Sequence, residues 1–219
     1  KGLVERMSET SYHAVHLKET GSRAVLWRVL TDYLARFTPD NAAALELGAG
    51  YCYWINQVRA RRKVAVDIWD ELGMHTGADV QPVIADLAAG LSPLKGERFD
   101  VALASNLLEH FEPDVTARIV ADVFAHLNPG GRFIVIQPNF RYAYRSYFDD
   151  YTHRSIFTDI SLPNLMRANG FAVDHVQPRF MPYSLRDGRL PVVPLLIRMY
   201  LASPIKPFAG QMLVVARKP

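Results

Sequence analysis

Ala42-Ala43-Ala44-Leu45-Glu46-Leu47-Gly48-Ala49-Gly50-Tyr51-Cys52 is an apolar run that breaks into a tight glycine turn. A second short run, Val64-Ala65-Val66-Asp67, follows and ends on an acid. Strand, glycine turn, strand and terminal acid make half of a nucleoside-binding site. The glycines let the backbone turn sharply and approach a ligand with no side chain in the way. An acid roughly 20 residues further on, at the end of the next strand, suits the two hydroxyls of a ribose. A dinucleotide fingerprint would carry a third glycine at position 53, where this chain has Tyr53. A pyrophosphate therefore fits poorly.

The flanking sequence extends the pattern. Val25, Leu26, Val29, Leu30, Tyr33, Leu34 and Phe37 recur at helical spacing, and Pro39-Asp40-Asn41 stops that helix. Residues 52–61 are expected to form the helix after the glycine turn. Val83–Asp86 reads as a third strand ending on an acid, and Phe99–Ser105 as a fourth, apolar throughout as a strand covered on both faces is. Pro113 suits the first turn of the next helix, whose apolar face is Val115, Ile119 and Val123 and whose end is Asn128-Pro129-Gly130-Gly131. Arg132–Ile136 is the fifth strand. Residues 160–169 form a helix stopped by Gly170, before strands at Phe171–Val176 and Gln211–Ala216. The alternation predicts an α/β fold: a Rossmann-like, doubly wound, mostly parallel seven-stranded sheet with helices on both faces. The last strand follows a long irregular segment, Pro178–Gly210, and is expected to be antiparallel.

Composition narrows the class. At 219 residues and 49% hydrophobic, the chain can bury one good core and is expected to be a single domain over 1–219. Its divisions are cap helices at 1–40, a cofactor-binding core at 41–137, a lid or acceptor connection at 138–160 and a proline-rich insertion at 178–209. The one cysteine excludes an internal disulfide and a cysteine-rich zinc site, and fits a reducing, cytoplasmic setting. No run approaches the roughly 20 apolar residues of a membrane helix, and no signal peptide is expected. The net charge of +3 is spread over scattered basic residues, so no DNA partner is expected.

Later motifs sharpen the reading. Glu46-x-Gly48-x-Gly50, Phe99-Asp100, Ser105-Asn106-Leu107-Leu108-Glu109-His110 and Leu127-Asn128-Pro129-Gly130-Gly131-Arg132, in this order and spacing, resemble successive motifs of the class I S-adenosylmethionine (SAM)-dependent methyltransferases. The resemblance covers nearly the whole chain. It departs at Cys52, where the family usually has its third glycine. Gln137-Pro138-Asn139, Gly170-Phe171, Arg179–Tyr183 and Gln211–Lys218 further resemble a bacterial branch associated with polysaccharide or lipid-linked sugar biosynthesis. The resemblance implies SAM as cofactor, bound around Gly48 and Gly50. Asp67, with Ile68, would take the ribose, and Asp86, with Leu87, the adenine. Glu46 would sit near the amino-acid end, and Asn106 and Leu107 would line the methionine part. The bland alternative is that each acid only caps the turn after it.

Ubiquinone-pathway O-methyltransferases and plant small-RNA 2′-O-methyltransferases resemble residues 106–110 with a Glu-x-x-Glu-His that holds a divalent metal. Here the first acid is Asn106, a weaker, neutral ligand. No metal is assigned, and His110 is read as fixing its loop. A set of Glu109, His110 and His153 stays the alternative. Tyr142–Arg154 is dense in aromatic and ionisable residues at the ligand-bearing edge of the sheet, which suggests a lid or acceptor pocket. Methyl transfer is mostly positioning, and an alcohol acceptor also benefits from a base near neutral pKa. His153 is the candidate base and Asp150 its orienter; the alternative is that His153 only pins the lid. Tyr12, His13 and His16 are candidates for closing over the cofactor. Residues 178–207 hold six of the fourteen prolines. With Arg186, Arg189, Arg198 and Lys206 around Leu190–Leu201, the 186–206 stretch could touch an anionic membrane surface weakly, form a homodimer contact, or pack as an insertion. The expected activity is methylation, at oxygen, of a small-molecule, glycan or lipid-linked acceptor. The rivals are an RNA 2′-O-methyltransferase and a non-catalytic SAM-binding scaffold.

Overall fold

A computed structural model of the protein describes residues 21–182 and 193–219. Tyr12, His13, His16, Arg186 and Arg189 lie outside the described residues. Helix α1 (Gly21–Leu34) precedes β1 (Ala43–Leu47), β2 (Arg62–Asp67), the short helix α2 (Leu72–His75) and β3 (Val80–Ile84). Then come β4 (Phe99–Ser105), α3 (Pro113–His126), β5 (Leu127–Pro138), the short helix α4 (Phe140–Ala143), α5 (Ser161–Ala168), β6 (Ala172–Pro182), α6 (Pro194–Ala202) and β7 (Ala209–Arg217).

The seven strands form one sheet in the order β3-β2-β1-β4-β5-β7-β6. The first five pair in parallel, and β7 runs antiparallel to both β5 and β6. This is the expected doubly wound sheet with its antiparallel last strand. Strand order reverses between β1 and β4, and a cleft opens outside the carboxyl ends of the strands at such a switch point. Every residue of β1 is buried. One face of the sheet packs under α3 and α5 through Ile119, Val123, Leu162 and Met166. The other packs under α1, the 51–58 turn and α6 through Leu30, Leu34, Trp54, Ile55 and Leu201. Fully burying side chains of this size contributes about 1.5–3 kcal/mol each, and the two layers hold the switch point rigid between them.

Three expectations are corrected. Residues 51–58 are a run of turns, not a helix at 52–61. The Ile55 N–H donates to the Glu46 carboxylate at 2.9 Å, which takes it out of any helical ladder. Asn128–Gly131 do not end α3 but begin β5, and α3 is closed by Lys218, whose Nζ donates to the carbonyls of Phe124 and Leu127. The 178–210 segment is not irregular throughout: β6 runs on to Pro182 and α6 starts at Pro194.

Candidate active site

A cavity of about 640 Å³ lies over the switch point, and its two ends differ in chemistry. The first end is built by the turns after β1, β2 and β3. Gly48, Gly50 and Cys52 all take left-handed backbone, with φ of 61°, 49° and 56°. A Cβ on Gly48 would stand 2.6 Å from a Leu107 methyl, so only glycine lets the turn and the post-β4 loop close together. Asp67, buried at the end of β2, ties the turn down: its Oδ2 accepts from the Gly50 N–H at 2.8 Å and its Oδ1 from the Trp69 N–H at 3.1 Å. Each carboxylate oxygen keeps a second lone pair for a ligand hydroxyl. Asp86 caps the turn at 87–89, accepting from the Ala88 N–H at 2.8 Å, while its exposed side lines the cavity beside Ile68 and Leu87. Here the capping role and the ligand-facing position coexist.

Glu46 lies behind the turn and is buried. Burial pushes its carboxyl up to about 8; the Ile55 hydrogen bond opposes the rise and the nearby Asp67 charge adds to it. The Cys52 thiol, wholly buried, is pushed up to about 12 by burial and then by Glu46 and Asp67. Asn106 also takes a left-handed φ of 48°, which asparagine tolerates. Its Oδ1 accepts from Gln211 Nε2 at 2.7 Å, so β7 reaches across and fixes the post-β4 loop.

The second end is lined by Arg23, Leu26, Trp27 and Leu30 from α1, His110 and Phe111 after β4, Tyr151, Thr152 and Arg154, and Met181 and Pro182 from β6. Behind this wall sit His153 and Asp150, both buried, with His153 Nε2 3.9 Å from Asp150 Oδ2. Burial works against ionisation of Asp150, but two hydrogen bonds from Thr152 and the adjacent His110 and His153 outweigh it, holding the carboxyl down to about 2. Thr152 Oγ1 donates to Asp150 Oδ1 at 2.5 Å and lies 2.9 Å from His110 Nδ1. Since that hydroxyl proton is used on Asp150, Thr152 is the acceptor and His110 Nδ1 the donor, which leaves Nε2 as the basic nitrogen of a neutral ring. The His110 and His153 rings meet edge to face at 4.9 Å, and His153 packs against Tyr147 at 4.6 Å. Glu109, His110 and His153 bring one ligand atom each within 4.8 Å of one another, a grouping compact enough for a shared proton or a cation.

Residues 21–176 match the family model described as "Methyltransferase domain". The chain belongs to this methyltransferase family. No curated protein matches the sequence. Among solved structures, this methyltransferase resembles the partner of the Haloferax volcanii Trm112 methyltransferase activator, with TM-score 0.71 and 14% identity over 95% of this chain and 96% of that one. It also resembles the N-methyltransferase NodS of Bradyrhizobium japonicum, solved with S-adenosylhomocysteine, with TM-score 0.63 and 12% identity over 94% and 91%. A third is the 1,6-didemethyltoxoflavin-N1-methyltransferase of Burkholderia thailandensis, with TM-score 0.61 and 24% identity over 99% and 88%. The shared feature is the fold.

The first end of the methyltransferase cavity fits SAM. The glycine at position 48 is sterically required, and the acids at 46, 67 and 86 meet one cavity from three successive strands. All the expected cofactor residues, Glu46, Gly48, Gly50, Asp67, Ile68, Asp86, Leu87, Asn106 and Leu107, line it. His153 and Asp150 do not: the histidine on the cavity wall is His110. Sequence reasoning did not find Arg23, Trp27, Tyr51 or Gln211 on the lining. For Trp27 the helical spacing already set residues 26 and 30 inward, whereas nothing local marks Tyr51, whose ring leans edge-on against Trp69 and His75 at 5.3 and 4.8 Å.

Proposed function

We propose that the enzyme methylates an oxygen of a small-molecule, glycan or lipid-linked acceptor in the cytoplasm. The two-ended cavity carries this reading: an acidic nucleoside end joined to an end lined by aromatics, arginine and histidine, with no barrier between them. When bound, SAM supplies a methyl group already activated on a sulfonium. Asp67 and Asp86 would hold the nucleoside, and the glycine turn, Asn106 and Leu107 the methionine part. Trp27, Phe111 and Tyr151 would hold the body of the acceptor and exclude water, so orientation supplies most of the rate. The acceptor proton would pass to His110 Nε2. Asp150, through Thr152, and His153, through ring contact, would keep that imidazole in the right tautomer and orientation. His153 and Asp150 thus act through His110 and not directly on the acceptor.

The acceptor end has two arginines and no lysine, which supports a compact acceptor over a nucleic-acid strand tracked by a basic groove. NodS and the toxoflavin enzyme are nitrogen methyltransferases, so the test must read the methylated atom. Cell-extract metabolites incubated with isotopically labelled SAM should yield a product heavier by one labelled methyl, its attachment to oxygen read by NMR. A product methylated on nitrogen would overturn the oxygen assignment. SAM binding with no labelled product in any fraction, glycan and lipid fractions included, would overturn the acceptor class.

A further inference from the structure

Helix α6 shows two contrasting faces. Ile197, Tyr200 and Leu201 pack inward on the core beneath α1. Leu195, Leu196 and Met199 point outward, at 64%, 51% and 60% exposure, and the connection to β7 adds Ile205 and Phe208 at 75% and 83%. Five large apolar side chains project from fifteen consecutive residues, 194–208. The helix is held in this pose. Arg198 bridges Asp32 of α1 at 3.0 Å, and buried Lys206 donates to the carbonyls of Tyr200 and Leu201 at the helix end. Phe208 also has φ of 57°, the left-handed region that a bulky residue occupies only under strain. The strain sets an aromatic ring in solvent, where the free protein gains nothing from it.

Charge decides what covers this face. From Gly188 to Pro219 the sequence carries five basic residues and no aspartate or glutamate. A second copy laid on the same face by a two-fold axis would meet the same acid-free surface, so no ion pair from this segment could close that contact. An anionic lipid surface complements it, taking apolar side chains among its acyl chains and basic residues among its headgroups. Among the described residues no helix is long and apolar enough to cross a membrane, so this is contact from one side.

We infer that the outer face of α6, with Ile205 and Phe208, rests on an anionic bilayer surface. Helix α1 both packs on α6 and lends Leu26, Trp27 and Leu30 to the acceptor end, so docking sets that end beside the bilayer. This rests on the lipid-linked branch of the proposed function, and it selects that branch.

The test is co-sedimentation of the full chain with phosphatidylglycerol-containing vesicles, against pure phosphatidylcholine, with Ile205→Ser and Phe208→Gly variants. The wild type should bind the anionic vesicles and lose binding as salt rises. The double variant should bind at least about tenfold more weakly, while Phe208→Gly alone should melt no lower than wild type because glycine relieves the strained φ. Failure to bind anionic vesicles overturns the proposal, as does binding that ignores the substitutions. A wild-type dimer in sedimentation equilibrium that these substitutions split assigns the face to a second copy and also overturns it. SAM binding, measured by calorimetry on the same samples, separates the outcomes: lost docking with SAM binding intact refutes the membrane face alone.

Discussion

Replacing Glu46 with glutamine should flatten the dependence of the enzyme's stability on pH. The carboxyl ionises at about 8 in the fold and near 4.5 when unfolded, mainly because burial penalises its charged form. Between those values the folded state holds a proton that the unfolded state has released. The stabilising contribution is therefore complete below about 4.5 and is lost as pH rises through 8. At about 1.4 kcal/mol per pH unit, the loss by pH 7 is roughly 3 kcal/mol, an order-of-magnitude figure. For a chain of this size that corresponds to about 6–12 °C in melting temperature. Glutamine has the shape of the protonated acid and keeps an oxygen for the Ile55 N–H, so Glu46→Gln should escape most of that decline. Melting curves of both proteins without cofactor, from pH 5 to 9, test it. Wild type and variant should diverge progressively above pH 5. Curves that stay parallel would mean that Glu46 is ionised throughout and that the burial argument is wrong. A cationic cofactor near this carboxyl should expel its proton, so SAM binding at pH 7 should release protons in wild type and fewer in the variant, read by calorimetry in buffers of different ionisation heat.

Other outcomes follow from the same geometry. Asp67→Ala removes both the anchor of the Gly50 turn and the ribose acceptor; at about 1.5–3 kcal/mol per charged hydrogen bond, SAM affinity should fall at least about tenfold, and unchanged affinity in a titration would refute the assignment. Cys52→Gly exchanges a strained left-handed cysteine for a residue at ease there, so SAM binding should be kept or improved; a variant that folds yet no longer binds would show that the thiol itself shapes the turn. His110→Ala should slow methyl transfer by roughly 10²–10⁴ with SAM affinity nearly intact, and Thr152→Val should do less in the same direction, with Thr152→Ser restoring the rate. If His153→Ala costs more than His110→Ala, the order of the two histidines along the proton path is reversed. Inhibition by EDTA, reversed by a divalent cation, would assign Glu109, His110 and His153 to metal binding.

Much of the fold was legible because parallel strands buried on both faces leave unbroken apolar runs, and their carboxyl ends are marked by Glu46, Asp67 and Asp86. The cofactor end inherits that legibility, since its residues follow directly from strand ends. The 51–58 segment was misread because its fate turns on a tertiary bond, Glu46 to Ile55, which helical propensity does not register. Helix α6 was hidden by its prolines; Pro194 occupies the first turn, where a missing N–H costs nothing. The choice between His110 and His153 could not be read from spacing. Both belong to aromatic, polar segments, and only the path of the chain through 140–155 decides which ring meets the cavity.

The lone cysteine has a consequence outside catalysis. With its sulfur wholly buried and its thiol pushed up to about 12, Cys52 is almost never a thiolate and has no access to reagents while the cofactor turn is closed. Any reaction with a thiol probe must wait for the turn to open. Labelling rate therefore acts as a clock on that opening, and because the chain has one cysteine the signal has a single source. Protection by SAM or its demethylated product would then measure how far ligand holds the turn shut, with no engineered label.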